Sequence, residues 1–175
     1  GSPFDPALRT DMLTLVQRAI DIQKPIDVQE HWGIAGDEIT VVTKTNIHKL
    51  PGVEEAFRKY LQANGVQLSE LAAKSWDEVK PYPVWTPDVK VRNAPAPPPP
   101  SAADRLRYYY TWRFPTYLTG QFYTEAAEKL EAAGIKLYAM QAHAPSWGNP
   151  VFDWFEYYDQ KPNRGLNFET SSRNG

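Results

Sequence analysis

Eight of the sixteen prolines fall between Pro81 and Pro100, the last four of them consecutive. A ring that fixes φ and removes the backbone N–H fits neither a helix interior nor a central strand. Regular elements must therefore lie on either side of this stretch, which itself reads as an extended loop of polyproline character spanning 81–100. Tyr82, Val84 and Trp85 give it apolar anchors for packing on a surface, which a flexible interdomain linker would lack.

On the N-terminal side, Leu8, Met12, Leu15, Ala19 and Ile22 recur at steps of three and four, with Leu13, Val16 and Ile20 widening the stripe. This spacing predicts a well-buried amphipathic helix that Pro25 stops. Ile26 to Ala35 reads as a strand entering a Gly36-Asp37-Glu38 corner, followed by the β-branched run Ile39 to Thr43. Val53, Phe57, Tyr60 and Leu61 give a short helix closed by Asn64-Gly65, and Leu68 with Leu71 predicts one more helical turn. Ser75-Trp76-Asp77-Glu78 has the spacing of a capping box.

Beyond the prolines, Ser101 with Asp104 opens the longest helical segment. Leu106, Tyr110, Phe114, Tyr117, Leu118 and Phe122 keep helical spacing in it until Ala133-Gly134, and Pro115 is expected to kink or break it near Thr111. Ile135 to Ala142 reads as a strand, Phe152 to Tyr158 as an aromatic helix, and Gly165 to Thr170 as a last short strand. The alternation of helices and strands predicts an α/β fold with a parallel sheet.

With 175 residues, 42% of them hydrophobic and 13% aromatic, the chain can bury one substantial core, and its length favours a single domain over 3–175. Gly1-Ser2 reads as a cloning scar. Nineteen Lys and Arg against 21 Asp and Glu leave no electrostatic footprint for nucleic acid or an anionic membrane. No apolar run approaches the ~20 residues of a membrane span. The absence of cysteine excludes disulfides and thiolate chemistry. His31, His48 and His143 lack carboxylates clustered at ligand spacing, so neither a metal nor another cofactor is called for.

The run Trp32-Gly33-Ile34-Ala35-Gly36-Asp37-Glu38 carries the chemistry-bearing candidates, because an apolar approach ends in two adjacent carboxylates. At the mouth of a parallel strand such a pair suits hydrolysis; in a plain turn, Asp37 caps the corner and Glu38 is a solvated loop residue. Trp147, in a Pro-Ser-Trp-Gly loop, is the best platform for stacking a sugar ring, with Trp32 beside the corner, whereas Trp112 and Trp154 read as core. His31 and His143 are candidates for hydrogen bonding to substrate hydroxyls. Consecutive tyrosines at 108–110 point to different helix faces, so one face is core and the rest rim.

Gly36-Asp37-Glu38, Ala56-Phe57-Arg58-Lys59-Tyr60-Leu61, Ser75 to Pro81, and Asp153-Trp154-Phe155-Glu156 leading to Phe168-Glu169 together resemble the central part of bacterial glycoside-hydrolase-like proteins. These are distantly similar to β-galactosidase-type retaining hydrolases. The resemblance implies a partial (β/α)8 (TIM) barrel segment with about three parallel βα units. It implies a carbohydrate substrate, Glu38 as proton donor, Asp37 as its neighbour and Glu169 as the strand-end carboxylate available as nucleophile. Asp37 stands where such hydrolases carry Asn, and Thr170 follows Glu169 where an acidic residue is common. A barrel fragment would leave strand edges open, so self-association is expected. The alternative is a non-catalytic carbohydrate-binding or protein-interaction module.

Overall fold

The computed structural model describes residues 6–25, 51–82, 99–135, 141–143, 156 and 167–169. They hold three α-helices, α1 (Pro6–Gln23), α2 (Val53–Ala63) and α3 (Ala102–Ala132), and two strands of three residues, β1 (Gln141–His143) and β2 (Asn167–Glu169). The chain divides into two compact units, one formed by Gly1–Val41 with Thr116–Gly175 and the other by Val42–Pro115.

The second unit is built on α2 and the first half of α3. Val53, Phe57, Tyr60 and Leu61 recur along one face of α2, and all four are buried. The Phe57 and Phe114 rings meet edge to face with centroids 5.3 Å apart, and Tyr60 packs on Tyr110 at 5.8 Å and on Phe114 at 5.5 Å. Such edge-on contacts align the positive rim of one ring with the negative face of the next. Both ends of this helical pair are fixed by local chemistry. Gly65, at φ +73°, lets the Gly65 and Val66 N–H groups donate back to the Gln62 and Leu61 carbonyls, and Val66 is buried against the helix it closes. The Ser101 hydroxyl accepts from the Asp104 N–H at 2.9 Å and donates to the Asp104 carboxylate at 2.7 Å, capping the N-terminus of α3.

Two smaller expectations change in this unit. Leu68 and Leu71 lie in a series of tight turns rather than a helix, and Ser75 makes no capping bond at the short 3-10 turn Trp76–Glu78. Glu78 instead accepts from the Lys74 N–H at 2.9 Å.

In the first unit, α1 meets the second half of α3 through Arg9. Its guanidinium donates to Glu125 at 2.7 Å and lies 5.7 Å from the centre of the Phe122 ring. Ile20 is buried on the same side of α1. α3 runs on through Pro115 without interruption. It ends with the same motif as α2: Gly134, at φ +80°, lets the Gly134 and Ile135 N–H groups donate to the Glu131 and Leu130 carbonyls at 2.9 Å each.

The expected partial (β/α)8 barrel segment is overturned, because the described residues are helical and their apolar faces pack helix on helix. Extended structure among them is confined to β1 and β2, which pair in parallel with Gln141 opposite Asn167, Ala142 opposite Phe168 and His143 opposite Glu169. Three residues per strand make a ribbon, not a barrel wall. Of the strand expected over 135–142, residues 141 and 142 belong to β1 and residues 136–140 lie outside the described residues. Ile135 does not open it: its side chain is the buried hydrophobic residue that closes the α3 C-cap. The expected strand over 26–35 lies outside the described residues.

A second correction concerns α1. The stripe predicted to face the core, Leu8, Leu15 and Ile22, is exposed by 37%, 60% and 69%. The residues read as merely widening it supply the inner face, with Ile20 buried and Leu13 and Val16 half-buried.

Candidate functional site

Of the residues singled out in the sequence, His31, Trp32, Asp37, Glu38 and Trp147 lie outside the described residues. His143 and Glu169 are described by their backbone alone, and the parallel register sets them directly opposite each other as the last residues of β1 and β2. In a parallel pair, partners in register belong to the same face of the ribbon. Thus two candidates separated by 26 positions in sequence are neighbours along the ladder.

Glu156, which the sequence reading passed over, is buried at 4% exposure. A carboxylate inside the aromatic run Trp154 to Tyr158 was the available signal, since an ionisable group surrounded by rings is expected to be desolvated. Its charge reaches Tyr117. Burial is the main cause that raises the Tyr117 phenol above its ordinary value, Glu156 adds to the rise, and the Gln121 amide that donates to the phenolic oxygen opposes it. The arrangement keeps this phenol protonated through the neutral range. Thr116 and Thr119 of α3 are buried as well.

A third cluster surrounds the start of α3. Tyr82 and Tyr108 meet edge to face at 5.7 Å, Tyr108 meets Trp112 at 5.8 Å, and the Arg107 guanidinium lies 5.3 Å from the Tyr82 ring centre. The Tyr82 N–H donates to the Thr111 hydroxyl at 2.8 Å, which itself donates to the Arg107 carbonyl. These contacts anchor the entry of the proline-rich stretch onto α3, the surface role expected of Tyr82. Tyr110 faces the core through Tyr60, while Tyr109 is 50% exposed and takes the Arg113 guanidinium over its ring at 5.2 Å. The three consecutive tyrosines thus split between core and rim as helical spacing requires.

Compared with protein-family models, with curated proteins and with solved structures, the chain matches none. Function has to be argued from the surface and the chemistry alone. Among the described residues no group of three or more metal-ligating side chains gathers, and no helix is long and apolar enough to cross a membrane.

The outer stripe of α1 is the feature that most needs an explanation. Leu8, Leu15 and Ile22 are three of the four large hydrophobic residues exposed among the described residues, and they sit seven residues apart on one helix. Single exposed leucines are ordinary, but a periodic row on one edge is a surface shaped for contact. Met12, half-buried, and the exposed Ala19 fill the steps between them, making one continuous seam along about 21 Å of helix. Asp11 and Arg18 flank it, both exposed and neither in an ion pair among the described residues.

Proposed function

We propose that this chain is a protein-interaction module whose α1 docks against a helix presented by a partner. The observation that carries the reading is the inversion of α1. The helix satisfies its own unit with Arg9, Leu13, Val16 and Ile20, and leaves a second apolar row, Leu8, Met12, Leu15, Ala19 and Ile22, facing outward. Apolar surface in water costs about 25 cal/mol per Å², so a row of aliphatic side chains gains free energy whenever a complementary helix covers it. A seam with apolar residues at alternating steps of four and three matches the groove of a second helix and little else.

The test is stability against association. Leu15→Ser should change the unfolding free energy of the chain by less than about 0.5 kcal/mol, as surface substitutions do, while abolishing binding to the partner helix. A loss of 2 kcal/mol or more, the scale of a buried leucine, would mean that Leu15 is covered by the chain itself and would end the reading.

A second reading, hydrolysis of a glycosidic bond in a carbohydrate, keeps one observation in its favour: the register that sets His143 opposite Glu169. Carboxylate chemistry of this kind uses an acid and a nucleophile or base on facing sides of the bond, with Glu38 as the donor and Asp37 beside it. Assay of Glu38→Gln and Glu169→Gln on aryl and natural glycosides decides it. Loss confined to substrates with poor leaving groups in Glu38→Gln supports the acid role, and equal loss on both substrate types, or no loss on either, removes Glu38 from it.

A further inference from the structure

We infer that the helix which docks on α1 is α1 of a second copy of this chain, packed antiparallel about a two-fold axis. This rests on the interaction reading above and goes further by naming the partner, its direction and its register.

The argument starts from the seam written as a heptad, with Met12 and Ala19 at the a positions and Leu8, Leu15 and Ile22 at the d positions. Asp11 and Arg18 then both occupy g, the position that borders the seam on one side. Residues 16 and 23, at e on the other side, are Val and Gln, and Arg9, the remaining e residue, is held by Glu125. In a parallel pair each g residue faces an e residue of the other helix. Asp11 would then face Val16 and Arg18 would face Gln23, with no charge matched. In an antiparallel pair, g faces g, and a layers meet d layers.

Two antiparallel registers each give four layers inside α1. In the first, Leu8 meets Ala19 and Met12 meets Leu15, each contact occurring twice by symmetry, and Asp11 of either copy stands across the seam from Arg18 of the other. In the second, Met12 meets Ile22 and Leu15 meets Ala19, and the two Arg18 side chains stand opposite each other. Opposite charges on one helix edge, seven residues apart, therefore select the antiparallel direction and the first register, in which both ion pairs form. The layers are also matched in size, since the small Ala19 receives the protruding Leu8. Their own helix keeps Asp11 and Arg18 apart: at a spacing of seven they lie about 10 Å from each other along the axis, beyond the reach of an i,i+4 pair.

The experiment is sedimentation of the full chain, up to about 1 mM because one short seam lies at the weak end of specific association. It compares Asp11→Arg, Arg18→Asp and the variant carrying both. Either single change turns two attractions into two repulsions and should raise the dimer dissociation constant about ten-fold, and the double change should restore it. Direction is read separately by cross-linking, since the chain has no cysteine of its own. Chains carrying Met12→Cys mixed with chains carrying Leu15→Cys should form a disulfide between them, whereas Leu15→Cys alone should not. A dimer in which the double change fails to rescue, or in which Leu15→Cys cross-links to itself, overturns the antiparallel pairing. A chain monomeric throughout also overturns it. If Leu15→Ser is then neutral for stability, docking on a different partner survives, and if it is destabilising the interaction reading falls too.

Discussion

Phe57→Ala should be the most damaging single truncation in the second unit. Phe57 is fully buried, its ring 5.3 Å from Phe114, which in turn lies 5.5 Å from Tyr60, so three rings with no solvent exposure form one contiguous block. Removing the ring forfeits its transfer free energy and leaves a void that neighbours on two helices cannot collapse into, at a cost of about 3–5 kcal/mol. The edge-to-face geometry contributes a further increment that a cycle can isolate. With Leu at 57, at 114 and at both, the coupling between positions should be about 0.5–1.5 kcal/mol. Urea titration followed by tryptophan fluorescence and circular dichroism supplies the numbers, with two transitions fitted if the two units unfold separately. A total native stability of about 5–15 kcal/mol makes a loss of this size a large shift of midpoint. A Phe57→Ala cost below about 1 kcal/mol would show that α2 does not pack on α3 as described.

Three further outcomes are expected. Gly65→Ala and Gly134→Ala should each cost about 1 kcal/mol, because both glycines hold positive φ and nothing lies within 4 Å of an added Cβ, leaving only backbone strain; Asn at either site should recover part of it. Ser101→Ala should cost about 1 kcal/mol in chemical denaturation by leaving the Asp104 N–H without its cap. Burial raises the phenols of Tyr117 and Tyr123 above the ordinary 10.0, so the folded state holds these protons more tightly than the unfolded state does. Their contribution to stability is intact below pH 10 and is lost as pH climbs through the raised values. Tyrosinate absorbance should report late-titrating phenols, with Tyr117→Phe removing one and softening the alkaline loss of stability.

The helices and their ends were legible in the sequence because their signals are local. Asn64-Gly65, Ala133-Gly134 and Ser101 with Asp104 act within one turn of chain, and each forms the cap its residue types dictate. The parallel pairing of β1 with β2 falls within the strands read over 135–142 and 165–170, but the extent of a strand was not legible, since a short apolar run serves a strand, a buried helix or a cap equally well. Ile135 shows the ambiguity: the residue that opens an apparent strand from 135 to 142 is the hydrophobic closure of α3. Glu156 was missed because its burial comes from tertiary packing, which an aromatic neighbourhood hints at but does not fix.

α1 shows the limit of periodicity most sharply, because it carries two apolar rows rather than one. Leu8, Met12, Leu15, Ala19 and Ile22 form the first, and Leu13, Val16 and Ile20 follow one position on, displaced around the helix by about 100°. Counting hydrophobic residues favours the longer row as the core face. The shorter row wins because it includes the site of Arg9, whose partner Glu125 and platform Phe122 are both on α3. A part-buried ion pair of this kind contributes little to stability by itself, but it is directional, and turning the helix to bury Leu8 and Leu15 would break it. Arg9→Met tests that division of labour. It retains the aliphatic contact with Phe122, so stability should fall by less than about 1 kcal/mol, while the helix loses the bond that fixes its rotation. Cysteine labelling at position 15 reads the consequence. Leu15→Cys reacts freely when Arg9 is present, and slower reaction in the presence of Arg9→Met would show the outer row turning inward. Unchanged reactivity would locate the determinant in Leu13, Val16 and Ile20 instead of in the ion pair.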